Sequence, residues 1–368
     1  MTFPPAGPGC AEQCRAAAEP QAGTAPASTA GWLLIEHPGP WPAYGRPREL
    51  PARLAAAADR LLALGVRPQL IRRTDRQGRA PRGGPAVFLA GGDVSGHWIE
   101  RIEPAVLTGR HTAAALGPPI LRAPRGPGLG RPCGPLLLVC THGRRDVCCA
   151  RYGRPVALAL AARFGRMVWE TTHVGGDRFA ANLVLLPEGA YFGRLDPASA
   201  VRVAGLALAG VLDLTAYRGI AGRTASRQCA EWYLRRALDE PRLDALRPLL
   251  PLPGDGPHLH RFAHGRLEHR GVEQRGTTGQ RDAAAHRDAA HDGATHDGAA
   301  HHDGTEHYAV QVEVCAEPGA RPLSCAEGTA AAPPGHRLVA ITRDRRGSAV
   351  RAAEPAPAAS APRVRIPG

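Results

Sequence analysis

A chain of 368 residues with 43% hydrophobic and only 5% aromatic side chains is long enough for one large domain or two ordinary ones, with a core built mainly from Ala, Val and Leu. No apolar run approaches the roughly 18 residues of a membrane span, and the start of the chain (MTFPPAGPGCAEQC) has no basic segment followed by an apolar one, so no signal peptide is expected and the cytoplasm is the expected compartment. The net charge of +13 comes from 46 basic residues that are all Arg; they are scattered, with no basic stripe interleaved with aromatics, and a single Asn and no Lys mark a bias toward G/C-rich codons rather than a nucleic-acid footprint.

Residues 1–30, rich in Ala, Pro and Gly, are expected to be irregular. GWLLIE (31–36) reads as a short buried strand, ended by the turn-forming HPGPWP. In PARLAAAADRLLAL (51–64), Leu54, Ala57, Ala58, Leu61 and Leu62 recur at helical spacing, with Pro51 at the first turn and Gly65 as the stop. VRPQLIRR, PAVFLAGG (85–92) and WIERIEP follow as strands, so residues 31–116 read as a smaller α/β layer. Residues 117–134 carry so much Pro and Gly that they read as a linker. PLLLVC (135–140) is a continuous apolar run, as in a strand buried on both faces. THGRRDVCCARYG is then a loop, and RPVALALAARFG a helix stopped by Gly165. RMVWE is a strand, TTHVGGD a glycine-bearing loop, and FAANLVLLP and AYFGRL are paired strands. Asp196-Pro197 caps a helix running to about Gly210, and another helix lies near 225–240. The β-α-β-β-α order makes residues 135–257 a thioredoxin-like domain.

Beyond residue 257 the composition changes. Ten of the sixteen His residues lie from His258 to His307, and HRDAAHDGATHDGAAHHDG repeats a His-Asp-Gly unit. Such a tract cannot bury apolar surface, and an insertion over about 272–306 is expected to be disordered. A solvated insertion is the first reading, and weak Ni²⁺ or Zn²⁺ binding the alternative. The flanks LHRFAHGRLEHRGV and HYAVQVEVCAE suit a β-hairpin whose turn the tract expands. HRLVAITR (336–343) adds a strand, so residues 258–343 form a C-terminal β extension and 344–368 a disordered tail.

The nine cysteines stand at 10, 14, 133, 140, 148, 149, 229, 315 and 325, an odd set that suits metal binding, redox chemistry or plain burial better than disulfides. Cys140 and Cys149 bracket a loop at the carboxyl end of the buried strand, and His173 and Asp177 bracket another, His-Val-Gly-Gly-Asp. Both loops should emerge at one end of the sheet, where open α/β folds place ligands. Two thiolates, an imidazole and a carboxylate could hold a metal ion or an iron–sulfur cluster there. Gly175 and Gly176 would give the loop positive φ and close backbone approach, and Asn182 could hydrogen-bond to it. Two half-buried cysteines beside an ordinary turn is the alternative. Cys10 and Cys14 read as bland thiols, and Glu170, Arg178 and the Arg144-Arg145 pair as solvated loop charges.

The segments LLLVCTHGRRDVCCARYGRPVA, VWETTHVGGDRFAANLVLLPEGAYFGR and WLLIEHPGPW resemble the sucrase/ferredoxin-like family of thioredoxin-like [2Fe-2S] proteins, densely over about 135–195. The resemblance implies a one-electron carrier with an unidentified redox partner protein, its [2Fe-2S] cluster ligated by Cys140, Cys149 and His173. Asp177 occupies the fourth position, where the family's relatives carry His; Cys148 and His142 are alternates. The sucrase half of the family's name finds no support, because no two carboxyl groups are arranged as glycoside hydrolysis needs. Two readings from other classes stay open: a cluster-free thiol redox or sensor protein acting through Cys148 and Cys149, and a non-redox interaction protein with a vestigial site.

Overall fold

The computed structural model describes residues 7–45, 50–75, 84–93, 95–109, 118–265, 305–316, 319, 321–326, 330–332 and 334–344. Strands β1 (Gly31–Glu36), β2 (Val66–Arg72), β3 (Val87–Asp93), β4 (Gly96–Ile102), β5 (Arg131–Pro132), β6 (Leu136–Cys140), β7 (Val168–Thr171), β8 (Leu183–Leu186), β9 (Ala190–Phe192) and β10 (Tyr217–Ile220) make one curled sheet, in the order β10-β9-β8-β6-β7-β2-β1-β3-β4-β5. The pairs β1–β2 and β6–β7 are parallel and the rest antiparallel. The joint is the short β2–β7 ladder, Ile71↔Thr171 and Arg72↔Glu170, through which the N-terminal strands continue the central ones.

Side chains alternate across a strand, and here the alternation separates three cores. Leu33, Ile35, Val87 and Leu89 pack under helix α2 (Ala52–Ala63), against Leu54, Ala57, Ala58 and Leu61. Leu137, Val139, Leu183 and Leu185 pack under two other helices. Trp32, Leu34, Phe88, Leu136, Leu138, Trp169 and Val184 share the remaining core, so the two halves of the sheet enclose a common interior because it curls.

Two segments expected to lack structure contain elements. Helix α1 (Cys10–Ala16) lies within residues 1–30, its Cys10, Ala11 and Cys14 buried. The Pro/Gly stretch 117–134 contains a single turn of helix, α4 (Pro118–Leu121), and β5, which pairs with β4; the four-residue α3 (Pro104–Leu107) precedes it. Leu121 is fully buried beneath α2's core, and the three amides Gly128, Leu129 and Gly130 donate to the Glu100 carboxylate. Backbone donors meeting one buried acceptor order a stretch that composition alone marks as loose.

Helix α5 runs from Val147 to Phe164, starting seven residues before the expected Arg154 and taking in the end of the segment read as a loop. Asp146 is the cause: its carboxylate accepts the Cys148 N–H at 2.8 Å, an N-cap that starts the helix and leaves Pro155 in its interior. Cys148 and Cys149 therefore sit in the first turn of a helix. Helix α6 (Pro197–Leu208) begins as expected, with Asp196 accepting from Ala198 and Ser199. Helix α7 (Ala225–Leu238) carries a second, antiparallel sheet of β11 (Leu246–Pro248), β12 (Leu259–His264), β13 (Glu306–Ala316) and β16 (Pro334–Arg343). Its core joins Ala230 and Leu234 to Phe262, Tyr308, Val310, Leu338 and Ile341. β14 (Arg321–Pro322) and β15 (Ala330–Ala331) form a separate two-stranded ladder.

β12 and β13 pair antiparallel up to His264↔Glu306, so the expected hairpin is present; the His-rich tract between them lies outside the described residues, as does the tail after residue 344. Deleting residues 275–304 is expected to leave this pairing intact and to stabilise the protein by about 1 kcal/mol, because closure entropy varies only with the logarithm of loop length. Thermal unfolding followed by circular dichroism checks this; a loss of cooperative unfolding would assign the tract a structural role.

Candidate metal centre

Cys140 ends the buried β6, and Cys149 lies in the first turn of α5. The helix can approach the strand end because residue 153 is Gly: a Cβ there would lie 2.0 Å from the Cys140 carbonyl oxygen. Both cysteines are 1% exposed and belong to the shared interior core. His173 comes from the loop after β7, its side chain 24% exposed. One donor atom from each of Cys140, Cys149 and His173 lies within 4.8 Å of the others, so these three residues could hold a metal ion.

Asp177 faces the same group. Its Oδ1 is 2.7 Å from His173 Nδ1 and accepts the Cys149 thiol at 3.1 Å. Contact with Cys149, assisted by His173, holds the Cys140 thiol well below its ordinary range despite complete burial. The contact with Cys140, together with burial, pushes the Cys149 thiol up. Burial alone would lower the His173 pKa, but Asp177 and Cys140 outweigh it and raise it to about 9. Burial likewise opposes ionisation of Asp177, and His173 reverses that, keeping its pKa below the usual value. Two thiols and an imidazole, with a carboxylate in hydrogen-bond contact with two of them, are a donor set within the chemistry of zinc and iron.

The two alternates take other partners. His142 Nε2 is 2.9 Å from the Pro42 carbonyl oxygen, and its Nδ1 accepts the His173 N–H at 3.2 Å; it braces the loop and supplies no donor to the group. Cys148 faces away, its Sγ 3.5 Å from that of Cys325. Cys148 and Cys149, adjacent in sequence, thus serve different groups.

The His173–Asp177 loop is held from behind. Gly175 and Gly176 have φ of +97° and +75°, and a Cβ on Gly176 would meet the Arg218 guanidinium at 2.3 Å. That guanidinium is fully buried, donates to the Gly175 carbonyl at 3.0 Å and to Asn182 Oδ1 at 2.7 Å, and is completed by Thr24. Asn182 in turn donates to the Gly176 carbonyl at 2.9 Å. Arg218 carries no mark in the sequence, since nothing separates it from 45 other arginines.

Glu170 is a correction. It reads as a solvated loop charge, but it lies in β7, completely buried. Arg72 holds it at 2.8 Å, Arg154 pairs with its other oxygen, and Thr141 donates at 2.9 Å. It ties β2, β7 and α5 together beneath the candidate centre. Arg178, also read as solvated, pairs with the buried Glu19 at 2.8 Å. Glu170→Ala is expected to cost about 3–5 kcal/mol, the usual loss when one partner of a buried pair is removed. A urea midpoint unchanged from wild type would refute that.

His173 also borders a cleft of about 870 Å³ lined by Tyr44, Gln69, His142, Arg145 and Thr172. The thiols are sealed inside while the imidazole meets this cleft. Residues 89–208 match the model of the sucrase/ferredoxin-like family. Neither the curated proteins nor the solved structures give a match. The matched segment contains both loops of the centre. No helix among the described residues is long and apolar enough to cross a membrane.

Proposed function

Residues 89–208 belong to the sucrase/ferredoxin-like family, and from that premise we propose that this chain is a one-electron carrier holding a [2Fe-2S] cluster at Cys140, Cys149, His173 and Asp177. The observation that carries the reading is the meeting of two buried thiols and a partly exposed imidazole within 4.8 Å, with a carboxylate touching two of them. A thioredoxin-like unit is supported by the strand order β9-β8-β6-β7, in which β6 and β7 are parallel and β8 is antiparallel to β6. Nine thiols without a disulfide suit a reducing compartment such as the cytoplasm.

The cluster, when bound, supplies the one-electron chemistry. The chain's own residues set its surroundings. Cys140 and Cys149 provide thiolates from the apolar interior, where water is excluded. His173 presents its imidazole to the cleft, the edge at which a redox partner protein would approach. Arg218 and Asn182 fix the loop so that His173 and Asp177 stay in place. Opposed orientations of Cys148 and Cys149 argue against a vicinal dithiol as the working group.

Anaerobically purified protein should be coloured and contain roughly two iron and two acid-labile sulfide per chain, with the colour bleaching on reduction. Colourless protein, devoid of iron and sulfide after reconstitution under reducing conditions, would sink the proposal.

A further inference from the structure

A second group of donors lies on the other side of the Cys148-Cys149 step. Cys10 from α1, Asp146 and Cys148 from the start of α5, and Cys325 from the segment after β14 each place one ligand atom within 4.8 Å of the others. Cys10 and Cys148 are buried at 1% and 2% exposure, Asp146 at 2%, and Cys325 is half-buried. The chain closes tightly over them: a Cβ on Gly9 would meet Cys148 Sγ at 2.8 Å and Cys325 Sγ at 3.5 Å.

We propose that Cys10, Cys148 and Cys325, with Asp146 as the fourth ligand, bind one Zn²⁺ as a structural site distinct from the iron centre. Zinc sites of this kind are four-coordinate and closed, with Zn–S near 2.3 Å. A tetrahedron of that size has sulfur–sulfur edges of roughly 3.8 Å, close to the 3.5 Å between Cys148 and Cys325 and the 3.7 Å between Cys10 Sγ and Asp146 Oδ2. Asp146 has capacity for the metal. An ionised carboxylate offers about four acceptor positions. The Cys148 N–H, the Ser324 hydroxyl and the Cys325 N–H take three, and its remaining contact is with the Cys10 thiol. Zinc binding would replace that S–H contact, each thiol giving up its proton to solvent. Three thiolates, one carboxylate and Zn²⁺ leave a charge of −2, placed at the N-terminus of the 18-residue α5, where the helix dipole favours it.

The packing gives a reason for the site. The apolar cluster here consists of Cys10, Ala11, Cys148 and Ala180, with Tyr152 and Cys325 partly buried beside it. This cluster buries little apolar surface, a circumstance in which metal binding can add folding free energy. Zinc would fasten α1 and the segment around Cys325 onto the first turn of the helix that carries Cys149.

The test uses the full chain, purified anaerobically after expression with added Zn²⁺, with metals measured by plasma mass spectrometry. About one zinc per chain is expected. Cys10→Ser and Cys325→Ser should each lower zinc more than about tenfold without altering iron, whereas Cys140→Ser should lower iron and keep zinc. Should the Ser variants fail to fold, Co²⁺ exchanged into wild-type protein should give the intense visible bands of tetrahedral thiolate-bound cobalt, absent from the zinc-loaded control. Wild type that takes up no zinc under reducing conditions overturns the proposal. So does zinc retained in both folded Ser variants, iron in place of zinc at these thiols, or a mass deficit showing a Cys148–Cys325 disulfide. A colourless but zinc-loaded protein would reject the iron reading and leave this one standing.

Discussion

Cys149→Ala should remove iron from the protein while leaving it folded. Cys149 sits in the first turn of α5 with its thiol turned to Cys140 and Asp177, so the substitution deletes one small group from the interior core. The packing loss is about 1 kcal/mol, at the low end for large-to-small core changes. A metal site responds far more strongly. Losing only an outer partner of a ligand costs roughly 10–100-fold in affinity, so losing the ligand itself should lower retained iron by more than about tenfold. Cys148→Ala provides the contrast, since that thiol faces Cys10 and Cys325; its iron content and visible spectrum should match wild type. Iron and sulfide assays with far-ultraviolet circular dichroism read both variants. A coloured, iron-loaded Cys149→Ala protein would dismiss the ligand set.

Asp177→His should raise the reduction potential and make it depend on pH. At the proposed centre an oxidised two-iron core would carry +2, and two thiolates, a neutral imidazole and a carboxylate would bring the site to −1. Exchanging the carboxylate for a second imidazole brings it to zero, so adding an electron becomes easier. Four-thiolate plant-type centres lie near roughly −400 mV and two-His centres at about −150 to +300 mV; wild type should fall between the two, and the variant should move toward the two-His range. A second imidazole also supplies another proton that can leave on oxidation, which is the source of the steeper pH dependence. Voltammetry at several pH values measures both effects. An unchanged potential and spectrum would mean that Asp177 acts only by holding His173 and Cys149.

Local pattern carried a good part of this protein. The helical repeat of Leu54, Ala57, Ala58 and Leu61, the apolar run of β6 and the Asp196-Pro197 cap each appear where the residues place them, because propensity and capping act over a few neighbouring positions. The ligand-type pairs Cys140/Cys149 and His173/Asp177 stood out in the sequence for the same reason, although the structure places Cys149 in a helix and not at the end of a loop. Partners distant in the chain were not. The helix expected from Arg154 starts seven residues earlier, where Asp146 caps it, and the Cys148-Cys149 pair looked like one unit until the helix turned its members to different groups. Glu170 looked like a surface charge because its partners Arg72 and Arg154 come from another strand and a helix. The gathering of Cys10, Cys148 and Cys325 spans nearly the whole chain, and no spacing encodes it. Burial and charge pairing are properties of three-dimensional neighbourhoods; only the curled sheet, joined at Ile71↔Thr171 and Arg72↔Glu170, creates them.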